Sequence, residues 1–406
     1  MTRDPGADPA VVLLDPSSFT PYYDAHLGGA LARAGWSVEW ITSRWEFEDV
    51  PAPDGVTRRH AFFTALRRAP LDRLTAGSRG AGVRRILKGL LYPLDALRTV
   101  RALLRRPPGV LHVQWAHLPW LDARLWRALR RHGWIVVHTI HDIEPLAGSS
   151  PGPLRWSART LRDAADAIVV HDEVARGLLV ARGVGAEQVH VIAPATPTAP
   201  VTPPARDAAR AALGIPASAP VVLFLGFVKP YKGLGVLLES VARLRSELPD
   251  IVLLVAGEAM NGRADYDRAI ARLGLAPHVQ WSGRFVPSDA LAAHLAAADV
   301  VALPYLEASS SGVLLAAYAH ARPVVATSVG GLPALVEHGR TGLLVRPRDP
   351  DALAAALREL LGDPARRARM GADARRLVEQ RHGWDDAAAA HAALYRELWR
   401  RAQGTA

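Results

Sequence analysis

The chain of 406 residues has no cysteine, which removes disulfides, thiolate nucleophiles and cysteine metal sites at once and is compatible with a reducing cytoplasm. It is also poor in lysine. Of 49 Lys and Arg, only Lys88, Lys229 and Lys232 are lysines, and two of these stand three positions apart. No stretch approaches the roughly 20 apolar residues of a spanning helix, and Val11-Val12-Leu13-Leu14 is too short for a signal-peptide core. The chain is therefore expected to stay in the compartment where it is made. The fifteen histidines show no ligand spacing such as His-x3-His, so no protein metal site is expected. The G-x-x-x-x-G-K-[ST] order of a Walker loop is missing, as are paired carboxylates of glycosidase type.

What is present is an ordinary globular mixture, 50% hydrophobic and 22% charged, at a length beyond what one core fills, so two domains are expected. Short apolar runs alternate with helical patterns. Strands are expected at 11–14, 37–42, 110–113, 135–138, 167–170 and 189–192, with helices at 27–34, 122–131 and 153–164. After a Pro- and Ala-rich stretch a second series begins, with strands at 221–225, 251–256, 279–282, 300–304, 323–327 and 342–345. It ends in periodic helices at 349–361, 364–380 and 385–401. The fold class expected is α/β, with two Rossmann-like, doubly wound domains facing a cleft. The N-terminal domain is read as 1–195, a linker as 196–219 and the C-terminal domain as 220–382, with a last helix, 383–406, returning to the N-terminal domain.

Charge is unevenly placed. Residues 58–106 hold thirteen Arg or Lys against Asp72 and Asp95, an excess of +11 that exceeds the +10 of the whole chain. In Val83–Arg106 apolar and cationic residues alternate at roughly helical spacing. That suits either a helix lying on an anionic membrane surface or an outer helix with solvated arginines. The stretch has no interleaved aromatics apart from Tyr92, and no nucleic-acid motif accompanies it, so nucleic acid is not expected as a partner.

Three stretches carry the chemistry. In Val221-Val-Leu-Phe-Leu-Gly226-Phe-Val-Lys229-Pro-Tyr-Lys232-Gly233, a buried strand ends in glycine and a loop with two cations opens a helix. Unpaired N–H groups and two ammoniums there suit a diphosphate. In Pro304-Tyr-Leu-Glu307-Ala-Ser309-Ser310-Ser311-Gly312-Val313, Glu307 is placed either to accept sugar hydroxyls or to cap the helix, and the N–H groups of Ser311–Val313 suit a second part of an anion. In Pro323-Val-Val-Ala-Thr327-Ser-Val-Gly330-Gly331-Leu-Pro333, a Gly-Gly turn permits close backbone approach.

In this order the stretches resemble the retaining glycosyltransferases of family 4, a GT-B group, across essentially the whole chain. The resemblance implies that Lys232 binds the donor diphosphate and that Gly226, Lys229, Arg284, Phe285, Glu307, Ser309, Ser310, Ser311, Gly312 and Val313 surround the donor. The family's arginine after the loop glycine is replaced by Phe227, with Lys229 the substitute cation. Glu307 looks like the first glutamate of the family's E-x7-E pair, displaced by one residue; the second would fall at Ala316 and is absent. The glutamate often found after Gly-Gly-x-Pro is Ala334 here. In the N-terminal half, Val137-His138-Thr-Ile-His141-Asp142-Ile-Glu144 sits where the family often has a histidine facing sugar and acceptor.

His141, with Glu307 and Lys232, is therefore expected in the catalytic set, against the alternative of a buried structural histidine. Tyr22, Tyr23 and Asp142 are expected near the acceptor, with Asp142 and Glu144 equally placed to cap a helix. Trp115 or Trp120 would suit stacking on an acceptor sugar. The function implied is transfer of a sugar from a nucleotide-diphosphate sugar to a hydroxyl of a glycan, lipid-linked or small-molecule acceptor. No cofactor and no obligatory metal are implied. A catalytically inactive binding partner, a phosphorylase or a sugar-nucleotide epimerase stand as alternatives.

Overall fold

A computed structural model describes residues 8–67, 77–142, 162–196, 203–260, 262–308 and 311–404, with side chains described from Val83 onward in the segment that begins at Gly77. The expected helix at 153–164 lies almost wholly outside the described residues, and so do Glu144, Ser309 and Ser310. The chain divides into two compact units: residues 1–141, 151–193 and 384–406 form one, and residues 142–150 and 194–383 the other.

Unit 1 is built on seven parallel strands in the order β3-β2-β1-β4-β5-β6-β7. These are β1 (Val11–Asp15), β2 (Val38–Thr42), β3 (Val56–His60), β4 (Val110–Val113), β5 (Ile135–Thr139), β6 (Ala167–Val170) and β7 (Val189–Val191). Its helices are α1 (Pro21–Arg33), α2 (Gly77–Leu104), α3 (Pro119–Arg131) and α4 (Glu173–Ala181). β1, β4, β5 and β6 are near-continuous runs of Val, Ile, Leu and Ala that are buried along their length, as a sheet covered on both faces requires. β3, Val-Thr-Arg-Arg-His, is the strand that periodicity missed. It lies at the sheet edge, where Thr57 is exposed and Arg58, Arg59 and His60 are only half-buried, so the hydrophobic signal is lost.

Unit 2 opens with α5 (Arg206–Ala212) and has six parallel strands, β8 (Val221–Leu225), β9 (Val252–Ala256), β10 (Val279–Trp281), β11 (Val300–Leu303), β12 (Val324–Thr327) and β13 (Gly342–Val345). Their order is β10-β9-β8-β11-β12-β13. The connecting helices are α6 (Leu234–Leu244), α7 (Ala264–Arg272), α8 (Ser288–Ala297), α9 (Gly312–Ala319) and α10 (Leu332–Leu335), followed by α11 (Pro350–Gly362) and α12 (Pro364–Arg381). Side chains alternate across the sheet. Val221, Leu223 and Leu225 enter one core, while Val222 and Phe224 enter the other. The last helix, α13 (Trp384–Ala402), is grouped with unit 1, where Tyr395 is buried with its hydroxyl 2.6 Å from His112 Nδ1.

The segment read as a linker is not one throughout. Within 196–219, α5 places Arg210 fully inside unit 2, where its guanidinium donates to the carbonyls of Ala297, Ala217 and Ala219 and to Asp299 at 2.8 Å. Asp299 also accepts the Val221 N–H, so this pair ties the start of β8 to the loop before β11. An arginine among alanines gave no hydrophobic pattern to betray a buried helix. Arg210→Ala strands three carbonyls, but Arg206 and Arg367 remain 3.1 and 3.7 Å from Asp299. The loss expected is therefore at the lower end for a broken buried pair, about 3 kcal/mol, read as a lowered urea midpoint.

Candidate active site

In both sheets the order reverses, between β1 and β4 and between β8 and β11, and loops beyond the carboxyl ends of neighbouring strands meet there. In unit 2 three such loops, after β8, β11 and β12, are drawn together to backbone contact. A Cβ on Gly233, which sits at φ +71° before α6, would lie 1.9 Å from the Pro304 carbonyl oxygen; one on Gly330, at φ +52°, would lie 1.6 Å from that of Ala308. No other residue fits at either place. The Leu306 N–H donates to Tyr231 O at 2.7 Å, and the Thr327 hydroxyl donates to Tyr305 O at 2.6 Å. Trp281 Nε1–H reaches Gly257 O at 2.7 Å and joins the loops after β9 and β10.

Lys232 sits inside this frame with its ammonium 5.6 Å from the Tyr305 ring centre. Burial lowers its pKa to about 8, and the nearby Asp142 carboxylate only partly opposes the shift. Lys229 is lowered for two reasons, burial first and the neighbouring Lys232 ammonium second. Two desolvated like charges on one loop constitute a site that gains from an anion. Glu307 is exposed on the adjacent loop. Ser311 caps α9, its hydroxyl accepting the Leu314 N–H at 3.3 Å, so the hydroxyl is committed to the helix. Gly312 and Val313 form the first turn of α9. Phe227 and Phe285 form a ring pair with centres 5.8 Å apart, while Arg284 is exposed beside it. Leu315 and Ala316 are both buried in the hydrophobic core, which gives a physical reason for the missing second glutamate: a carboxylate at either position would be desolvated.

In unit 1, His141 is enclosed. Trp115 stacks on its face with ring centres 5.3 Å apart, and Tyr23 meets it edge-on at 5.1 Å. His171 Nδ1 faces the Ile192 carbonyl at 3.1 Å and must carry the proton, so His171 Nε2 accepts from His141 Nδ1–H at 3.1 Å. His141 Nε2 is then an acceptor and lies 3.0 Å from the Gln114 carboxamide. The Gln114 NH2 has no other partner, so the amide orientation that satisfies both groups directs NH2 to His141. Burial and the neighbouring His171 hold His141 well below the usual histidine pKa, consistent with this neutral chain. Both nitrogens of His141 are thus engaged.

Tyr22 donates to Glu48 and packs on Trp45, while Tyr23 lies between His141, His171 and Trp384. Asp142 is exposed and is grouped with unit 2. His138 is buried against Trp126, a structural place. Gln114, Trp115 and His171 were missed as a constellation. The signal for the first two was a polar–aromatic pair directly after the β4 run.

Two family profiles match, glycosyl transferases group 1 over residues 219–363 and the glycosyl transferase 4-like domain over residues 22–195. The D-inositol 3-phosphate glycosyltransferase of Jonesia denitrificans is 32% identical over 401 residues, covering 92% of this chain and 89% of that protein. The chain belongs to the group 1 glycosyltransferases. The protein of the same description from Kineococcus radiotolerans is 34% identical, with 92% and 89% covered. Among solved structures, sucrose-phosphate synthase from Thermosynechococcus elongatus superposes with a TM-score of 0.74 at 24% identity over 97% of this chain and 100% of that one. Anabaena HepE, determined with UDP and glucose, gives 0.73 at 20% over 96% and 100%. These establish the GT-B fold, and the family makes this group 1 member a glycosyltransferase.

The Lys232 shift gives a pH prediction. Diphosphate favours the charged ammonium and raises its pKa, so affinity is full below about pH 8 and falls as pH rises through it. Calorimetric titration with UDP or GDP is expected to show weakening of at most about tenfold per pH unit there. Lys232→Arg, which stays charged, is expected to abolish that dependence even if it binds more weakly throughout.

Proposed function

We propose that this glycosyltransferase takes its sugar from a nucleotide-diphosphate sugar held by unit 2 and transfers it with retention at the anomeric carbon. The observation that carries the reading is the desolvated pair Lys229 and Lys232 beside the N-terminus of α9, on loops locked by Gly233 and Gly330. When the bond from the anomeric carbon to the diphosphate oxygen breaks, negative charge grows on the departing oxygens. The two ammoniums and the N–H groups of Gly312 and Val313 stabilise it there. Because these cations do the neutralising, a metal is dispensable.

Glu307, on the next loop, accepts hydrogen bonds from the transferred sugar. Ser311 meets the donor through its backbone, while Arg284 and Phe285 with Phe227 border the nucleotide. The acceptor hydroxyl loses its proton to the departing diphosphate oxygen, since both nitrogens of His141 are engaged in the chain from Ile192 to Gln114, and Tyr22 and Tyr23 are the acceptor-side residues of unit 1. His141 then acts as a positioning residue that holds Trp115 and Gln114 in place.

The relatives described as D-inositol 3-phosphate glycosyltransferases make a cyclic polyol phosphate one acceptor to test. The +11 excess over residues 58–106 favours a lipid-linked acceptor in polysaccharide or glycoconjugate synthesis, met at the cytoplasmic face of an anionic membrane.

Thermal unfolding with UDP-, GDP- and dTDP-sugars tests the donor site. One nucleotide is expected to raise the midpoint, and Lys232→Ala to lose the effect with the protein still folded. Stabilisation by none of them would count against the reading, and binding without turnover on any acceptor would favour an inactive partner instead. NMR of the first product linkage is expected to show the donor's anomeric configuration.

A further inference from the structure

Helix α2 buries Tyr92, Ala96, Val100 and Leu103 against the sheet. Its opposite side is unusual for an outer helix. Val83, Ile86, Leu90 and Leu94 are 44, 66, 67 and 52% exposed, four of the ten large apolar side chains exposed among the described residues. At about 100° per residue they share one sector of the helix with Arg98 and Arg101, and Arg105 follows just beyond its end; all three arginines are exposed. The outward face is thus apolar over its first half and cationic over its second. Pro93 stands at the junction and leaves the carbonyl of exposed Gly89 without its helical partner. Arg84 and Lys88, on the flank of the ridge, are drawn back onto Glu46.

We infer that this face is an in-plane bilayer anchor, with Val83, Ile86, Leu90 and Leu94 entering the acyl boundary and Arg98, Arg101 and Arg105 held at anionic headgroups. The inference rests on the reading of residues 58–106 as membrane-facing and names the surface that does it. Charge complementarity decides the occupant. A second copy would bring an equally cationic face against this one, and a nucleic acid would leave the apolar half in water. An anionic bilayer satisfies both halves at once, and neither half suffices for stable attachment alone.

The anchor also borders the acceptor end of unit 1. Tyr92, on the inner face of α2, stacks on His117 with centres 4.9 Å apart. His117 in turn stacks on Phe19, 60% exposed, in the loop after β1. A lipid-carried acceptor would therefore reach the enzyme in the plane of the membrane that α2 contacts.

Flotation of the full chain with phosphatidylglycerol–phosphatidylcholine vesicles and with phosphatidylcholine alone tests this. Binding is expected only with the anionic lipid, to weaken at high salt, and to fall at least about tenfold in Ile86→Ser/Leu90→Ser, with Arg98→Ala/Arg101→Ala steepening the salt loss. The milder Ile86→Ala/Leu90→Ala pair guards against misfolding, and circular dichroism melts should match the parent. Equal binding by the ridge variants, no binding to anionic vesicles, or a dimer in light scattering that the ridge variants dissociate would each overturn the anchor. Nucleotide stabilisation measured on the same samples separates the two readings: it should survive in the ridge variants, and its absence would sink the donor site while leaving the anchor standing.

Discussion

The arrangement of unit 2 depends on backbone meeting backbone at the carboxyl edge of its sheet. Parallel strands all deliver their loops to one edge, but loops with side chains between them would stand apart. Gly233 against Pro304 and Gly330 against Ala308 remove that spacing, and the Leu306–Tyr231 and Thr327–Tyr305 hydrogen bonds fix what remains. Only then do the cation loop, the Glu307 loop and the N-terminus of α9 share one small volume. A methyl group at either glycine would separate the ammoniums from the helix N–H groups they work with.

Cation type follows the same logic. Most arginines in the described structure spread over the surface in exposed pairs, such as Arg358 with Glu247 or Arg243 with Asp351, which contribute little. Arg210 is the buried exception, and there the planar fork is used in full on three carbonyls and a carboxylate. The loop after β8 instead carries two of the chain's three lysines. An ammonium has a pKa that burial can bring to about 8, whereas a guanidinium stays charged, so only a lysine at this place has a protonation step near physiological pH.

The doubly wound sheets were legible because buried parallel strands are continuous apolar runs, and the loop after β8 stood out because lysine is scarce. Where side chains did not report burial, reading the sequence failed for a local reason. β3 is polar because it is an edge, and α5 hides behind alanines and an arginine whose charge is satisfied internally. The constellation of Gln114, His141 and His171 comes from the ends of three different strands, and no spacing along one segment reveals it. Pro93 inside α2 would ordinarily have split that helix in two, yet packing of Tyr92, Ala96 and Val100 carries the chain through it.

The closed hydrogen-bond chain through His141 bears on how the labour is divided between the two units. A histidine with a carbonyl-bound neighbour on one nitrogen and a carboxamide on the other cannot take a proton without first losing a partner, and its depressed pKa makes the charged form costlier still. Unit 1 presents ring surfaces, in Trp115, Tyr23 and exposed Phe19, whereas the two desolvated ammoniums of Lys229 and Lys232 lie in unit 2. On the proposed reading, ring surfaces on unit 1 can change without disturbing the ammoniums of unit 2. The loop after β1 is fixed in the same spirit, with Asp15 accepting the N–H groups of Ser17 and Thr20 on either side of Phe19.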